Sequence, residues 1–361
     1  MTSMHRSGRS MLYPMKLKPV FKDYIWGGRN LEKFGVILPR GKTAEVWEVS
    51  CHPDGLSIIS NGMYTGLSLV DYISMLGKDA VGTDNYNSEY VSFPLLLKLI
   101  DASDKLSVQV HPDDDYANVY ENGELGKHEA WYIIDAKPGA QIIYNVIAGI
   151  NKEDFIESMD KSEIDQSLNH MNVFAGDVID IYPGMIHSIG AGIVLAEIQQ
   201  NSNLTYRVYD YERMDKKGSK RILDIKKALD VIDFAPNNRK EKALGIDLRI
   251  NAGAHKSFKL ANKYFSLEVY WVDGKIEEHT DGSKFYIYLF LEGDAIINYS
   301  NGRISVNAGE SIFIPASMGK FTIKGNFKAL KMYVPDLQSD IIAPLTVAGH
   351  SLKEINEKVC S

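Results

Sequence analysis

Short apolar runs rich in Val, Ile, Leu and Tyr recur along the chain, punctuated by Gly, Pro, Asp and Asn. EVWEVS (45–50), PLLLKLI (94–100), AWYIIDA (130–136), QIIYNV (141–146), DVIDIYP (177–183) and IVLAEIQ (193–199) each read as a strand. Apolar residues spaced by three or four are rarer. They predict helices over 69–76, over 152–169 as two pieces, and over 222–232, with Asn151 and Ser162 as caps for the pair in the middle. The pattern predicts a mainly β protein, barrel or sandwich, with a few short helices.

The pattern also repeats. EAWYIIDAKPGAQII (129–143) and SKFYIYLFLEGDAII (283–297) share an aromatic start, a central glycine and a closing Ile pair. GDVIDIYPGMIH (176–187) and GESIFIPASMG (309–319) share glycine, acid, apolar alternation and proline in that order. One barrel unit used twice is the expectation, with the polar, Pro-bearing stretch 233–245 as the linker. The predicted domains are 13–235 and 236–361, after a disordered leader at 1–12. In the second copy Ser283 falls where the first has Glu129, and Gly319 where the first has His187.

Composition narrows the class. With 361 residues, 45% apolar and 24% charged, the chain fits a globular protein of two domains. The formal net charge of −7 argues against a nucleic-acid binder, and no stretch approaches the roughly 20 apolar residues that span a bilayer. Two cysteines, Cys51 and Cys360, fit a reducing cytoplasm better than a disulfide framework.

Three segments carry candidate metal chemistry. In KLSVQVHPDDD (105–115), strand alternation puts Gln109 and His111 on one face. In GKHEAWYII (126–134), Glu129 opens a core strand beside Lys127 and His128, and the same alternation turns His128 away from Glu129. In YPGMIHSIGAG (182–192), His187 sits between glycine turns. Two imidazoles, a carboxylate and a neighbouring amide form a donor set for a divalent transition metal. Further on, Arg207 in TYRVYD shares a face with Thr205 and Tyr209. An arginine there needs either an anionic ligand or a carboxylate partner, for which Glu197 and Asp210 are candidates.

The ordered set Gln-x-His, Glu, Gly-x6-Pro-Gly-x2-His resembles the metal pattern of cupins. Across 13–213 the chain resembles the type I mannose-6-phosphate isomerases of the short bacterial class. The matching stretches are YPMKLKPVFKDYIWGGRNLEKFG, FPLLLKLIDASDKLSVQVHPDDDYA, GKHEAWYIIDAKPGAQIIY and PGMIHSIGAGIVLAEIQQNSNLTYRVYDYER, and GESIFIPASMG fits the same family. The resemblance implies two cupin barrels, the second lacking metal ligands. It also implies one zinc ion held by His111, Glu129 and His187, with Gln109 as a fourth ligand. Arg207 and Lys127 take catalytic positions, and Lys98, Glu197 and Arg213 are the candidates for substrate contacts. One departure is that His128 and Ala130 flank Glu129, where relatives more often carry Thr or Pro and Cys.

The implied reaction interconverts mannose 6-phosphate and fructose 6-phosphate through a cis-enediolate. Its developing negative charge calls for a metal or cationic side chains. Two other readings use the same residue types: a non-haem Fe(II) cupin oxygenase, and a cupin that binds sugar phosphate without turning it over. Cationic residues at 98, 127 and 207 favour a phosphorylated substrate.

Overall fold

The structure is a computed structural model that describes residues 12–85, 93–214, 218–235 and 240–361. The leader, apart from Leu12, lies outside the described residues, as do 236–239 of the expected linker.

Two sheets make the first barrel. One has six strands in the order Val178–Ile181, Glu129–Ala136, Ile193–Gln200, Leu95–Ala102, Glu45–Val49, Val20–Lys22. The other has five, ordered Tyr206–Tyr209, Val108–Val110, His187–Ile189, Gln141–Val146, Leu168–Asn172. All the named strand pairings are antiparallel. Trp131, Ile133, Ile142, Ile179 and Leu195 fill the space between the two sheets. The second barrel is a single nine-stranded sheet folded around its own core of Tyr288, Phe290, Ile297, Val306, Ile312 and Ile323.

The six-stranded sheet is buried on both faces, which explains why its strands are apolar at successive positions instead of alternating. Every residue of Leu95–Ala102 and of Ile193–Gln200 is buried. Even positions such as Lys98 and Ile100 face the first barrel's interior. Leu95, Leu97 and Leu99 pack outward with Phe285, Ile287, Leu289, Leu330 and Met332 of the second barrel. The barrels therefore share one core. The N-terminal strand Met15–Lys18 crosses over to pair with Ser311–Ile314 in the C-terminal sheet, and Ser311 donates a 2.8 Å hydrogen bond to buried Glu48.

The repeat is visible in the strand order. Ser311–Ile314, Tyr286–Tyr299, Gly319–Tyr333, Ser266–Thr280, Ala254–Ala261 and Ile246–Asn251 follow one another as the six strands of the first sheet do. In the first barrel, Trp47, Lys98, Glu197, Trp131 and Ile179 lie side by side on five adjacent strands. In the second, Phe258, Glu268, Lys331, Tyr288 and Ile312 form the corresponding row, with the charges exchanged. The register also corrects one expectation. Glu129 lies opposite Ile181 and Tyr286 opposite Ile314, so Tyr286, not Ser283, takes the position of Glu129. Gly319 keeps the place of His187, and Thr280 opposite it keeps that of Gln109. The long strands bend where Gly274 faces Gly325. A Cβ on Gly325 would come within 2.1 Å of the Asp294 carbonyl oxygen, so the bend requires glycine.

The helices depart from expectation in the middle segment. Lys152–Asp160 is a helix capped by Asn151, which accepts from the Asp154 amide at 2.8 Å. Ser162 caps nothing: it has φ +59° and ends that helix. Only one turn, Ile164–Ser167, follows before Leu168–Asn172 joins Gln141–Val146 as an edge strand. Strand pairing outweighs the helical spacing there. Asp114–Tyr120 is a helix that the apolar spacing did not announce; Asp113 caps it. Among the described residues no helix is long and apolar enough to cross a membrane.

Candidate metal centre

Gln109 and His187 sit directly opposite each other in the five-stranded sheet, and Arg207 lies opposite Gln109 on its other side. His111 follows its strand immediately, and Glu129 opens the facing sheet. The two sheets thus bring residues 76 positions apart into one buried cluster, in which ligand atoms of His111, Glu129 and His187 lie within 4.8 Å of one another. Among the described residues it is the one group of three such side chains so placed.

Hydrogen bonding fixes the imidazole tautomers. His187 donates from Nδ1 to the Met185 carbonyl at 2.9 Å, leaving an unprotonated Nε2 that faces Glu129 Oε1 at 3.5 Å. Lys127 Nζ, which can only donate, lies 3.3 Å from His111 Nε2, so that nitrogen too is an acceptor, 3.4 Å from Glu129 Oε2. Burial, with Lys127 adding to it, pushes His111 down to about 3, and burial lowers His187 as well. Burial would raise Glu129, but Lys127, His111 and His187 together outweigh it and hold the carboxyl well below its usual range. The Lys127 ammonium meets this cluster from one side, and the imidazole lone pairs and carboxylate oxygens that it leaves converge in a dry interior where a further cation would be favoured. The donor set fits a divalent transition metal. The Gln109 amide lies 3.3 Å from His187 Nε2 and can turn either its oxygen or its nitrogen to the cluster.

Around this cluster the sheet row Trp47–Lys98–Glu197–Trp131 forms the floor. Lys98 Nζ and Glu197 Oε1 are 2.9 Å apart and both side chains are buried. The Trp131 indole N–H lies 3.1 Å from both Glu129 Oε1 and Glu197 Oε2, tying the two carboxylates together. Burial, reinforced by the charge of Glu129, raises the Glu197 carboxyl.

Two family models match the chain: the catalytic domain of type I phosphomannose isomerase over residues 14–130, and the cupin domain of mannose-6-phosphate isomerase over 254–334. The chain is 37% identical over 316 residues to the probable mannose-6-phosphate isomerase GmuF of Bacillus subtilis, covering 87% of this chain and 97% of that protein. It is 35% identical over 316 residues to the mannose-6-phosphate isomerase ManA of the same species, covering 86% and 96%. The chain belongs to the type I mannose-6-phosphate isomerases. The crystal structure of the B. subtilis mannose 6-phosphate isomerase superposes with a TM-score of 0.82 at 34% identity, covering 88% of this chain and 99% of that one. Family membership selects the isomerase over the oxygenase and the non-catalytic binder, and the mainly β cupin architecture agrees with it.

Within this isomerase the expected site residues separate by environment. Lys127 joins the cluster, with Nζ 2.9 Å from Glu129 Oε2. Lys98 and Lys127 are each neutralised by a carboxylate, so they are not the free cationic lining their sequence positions imply. Arg207 pairs with neither expected carboxylate. Glu197 is taken by Lys98, and Asp210 by Arg213 and Arg221. The Arg207 guanidinium instead donates to Ser107 Oγ at 3.2 Å and to the Ile222 carbonyl at 3.0 Å. Arg213 is committed to Asp210 and the Lys105 carbonyl. His128, facing the other way, meets Asp180 at 2.7 Å and packs against Tyr264 and Phe265 of the second barrel. Trp131 and Ser107 escaped the sequence reading. The signal for Trp131 was available: an indole two positions beyond Glu129 shares its face and needs an acceptor.

Proposed function

We propose that this isomerase interconverts mannose 6-phosphate and fructose 6-phosphate with one zinc ion held by His111, Glu129 and His187, and Gln109 as a fourth donor. The convergence of two unprotonated Nε2 atoms on Glu129 supports this reading most directly. Bound there, zinc supplies Lewis acidity to the sugar oxygens on which enediolate charge develops.

The chain's own side chains divide the remaining work. Lys127, beside Glu129 and His111, offsets negative charge on the sugar's O1 and O2 as it forms. Arg207 has no ion-pair partner among the described residues, which leaves it for the anionic substrate at the edge of the site. Arg213, held by Asp210, serves that edge indirectly by fixing the segment that carries it. Moving a proton between C1 and C2 requires a group whose affinity for it lies nearer neutrality than an ordinary carboxylate's. Glu197, raised by burial and held by Lys98 and Trp131, meets that requirement. The first barrel's own apolar core, with Trp131, Ile179 and Leu195, helps keep water from the intermediate.

The division of labour between 13–235 and 236–361 follows: the first barrel does the chemistry, and the second, with Tyr286, Thr280 and Gly319 at the corresponding ligand positions, carries no metal of this kind. Both cysteines are free, in keeping with a cytoplasmic enzyme acting on a small sugar phosphate, and the acidic net charge gives nucleic acid no purchase. Deuterium exchange at C2 of the substrate tests the proton-transfer assignment. In Glu197→Gln, exchange and net isomerisation should fall together with metal content unchanged. Undiminished exchange would reject it.

A further inference from the structure

The second barrel is not simply packing. The row Phe258–Glu268–Lys331–Tyr288 faces its interior and carries charge at the two positions where the catalytic barrel has Lys98 and Glu197. Glu268 is 1% exposed and Lys331 5%. Around them runs a continuous polar network. Glu268 accepts from Lys256 at 2.8 Å, from Tyr270 at 3.0 Å and from Tyr333 at 2.6 Å. Glu278 accepts from Lys331 at 2.8 Å and also lies 3.0 Å from the Tyr270 hydroxyl, whose one hydrogen serves either carboxylate in turn.

Burying the Glu268 carboxylate and the Lys331 ammonium, with Glu278 and Lys256 half-buried beside them, is unfavourable relative to an apolar core of the same volume, and the same barrel fills its other end with Phe290, Ile297, Val306 and Phe327. A barrel kept only as scaffold has no physical need of this network.

The network opens onto a cavity of about 710 Å³, whose lining includes Lys256, Tyr270, Glu278, Asn298, Tyr299 and Phe321. That volume lies within the range of small-molecule sites, roughly 300–1,000 Å³. The Tyr288 hydroxyl is fully buried without a hydrogen-bond partner, and its ring meets Phe321 edge-on.

The chemistry of the lining selects the ligand. Among the lining residues Glu277 and Glu278 are matched in number by Lys256 and Lys320, so the cavity carries little net charge to favour a phosphate or a cation. Carboxylate oxygens with spare lone pairs, an amide and an ammonium with free N–H groups suit hydroxyls, which both donate and accept. The half-buried ring of Tyr299 suits the C–H face of a pyranose or furanose ring.

We propose that the mouth of the second barrel is a binding site for a neutral, unphosphorylated sugar, separate from the isomerase centre. Glu278 and Asn298 grip its hydroxyls, while Tyr299 packs on its ring. The site requires no metal.

Saturation-transfer NMR on the full-length, zinc-loaded protein tests this, with D-mannose, D-fructose and D-glucose as probes and saturating mannose 6-phosphate occupying the first barrel. At least one sugar should receive saturation in the presence of the phosphate ester. Glu278→Gln should weaken its binding at least tenfold while turnover of mannose 6-phosphate stays within twofold. Asn298→Ala, at an exposed lining position, should weaken it as well, and carries the test if Glu278→Gln fails to fold. No transfer to any of the three sugars, transfer abolished by mannose 6-phosphate, or affinity unchanged in a folded lining variant would each overturn the proposal.

Discussion

Lys98 and Glu197 face each other on adjacent strands of the sheet that both barrels share, 2.9 Å apart and hidden from solvent. Each side chain is tolerable in that position only because of the other. Removing one leaves an uncompensated buried charge, which destabilises by about 3–5 kcal/mol, whereas replacing both with neutral residues need not destabilise at all. Lys98→Met should therefore lower the melting temperature sharply, and Lys98→Met/Glu197→Gln should recover much of it. The double variant should still be inactive, because the proton-transfer group is gone. Thermal denaturation beside turnover of mannose 6-phosphate separates the two effects.

The indole of Trp131 gives a different signature. Trp131→Phe keeps the ring in the core but removes the N–H that joins Glu129 to Glu197. Partners of metal-binding carboxylates typically influence metal affinity or activity by about 10- to 100-fold. Zinc affinity, measured by competition with a chromophoric chelator, should fall by that order with the fold intact. Unchanged affinity and turnover would show the bridge to be incidental.

Arg207 should affect turnover and leave the metal alone. Its guanidinium contacts Ser107 and Ile222, not the cluster of His111, Glu129 and His187. Arg207→Ala should bind a full equivalent of zinc yet lose at least 100-fold in kcat/KM, on the order of the 3 kcal/mol expected for a lost charge-assisted contact. Near-normal turnover in the zinc-loaded variant would remove Arg207 from the account.

Between the barrels, Glu48 predicts a pH dependence of stability. Burial pushes its carboxyl up to about 7, against the opposing hydrogen bond from Ser311. The folded protein then holds a proton that the unfolded chain has released above its ordinary carboxylate pKa. Stability from this group declines as pH rises from about 4.5 to 7 and stays low beyond. Glu48→Gln should flatten that decline and stabilise the protein at pH 8 by roughly 3 kcal/mol, seen as a higher melting temperature. At pH 5 the two proteins should melt alike.

How far these relationships were readable in the sequence depended on whether local rules governed them. Strand alternation alone aligned Gln109 with His111 and turned His128 away from Glu129. The ordered ligand types then marked three candidate ligands whose side chains the structure brings together. The two-sided apolar strands were legible as strands, but not that one sheet would serve two barrels, since which faces meet is a property of the tertiary fold. The repeat was legible in its order of glycine, acid and proline. Its register was not, because cross-strand pairing sets it, and pairing puts Tyr286 instead of Ser283 opposite Ile314. Ion-pair partners were least legible of all. Whether Arg207 meets Glu197 depends on where Lys98 sits across a strand some hundred positions away, and no local pattern encodes that.

The central claim is that turnover depends on a metal ion held by His111, Glu129 and His187. A coupled assay of mannose 6-phosphate isomerisation tests it most directly, on protein as purified, after chelation, and after return of one equivalent of zinc. Activity should vanish on chelation and return with zinc in the wild type, and should fail to return in Glu129→Gln. Full turnover by demonstrably metal-free protein would contradict the account.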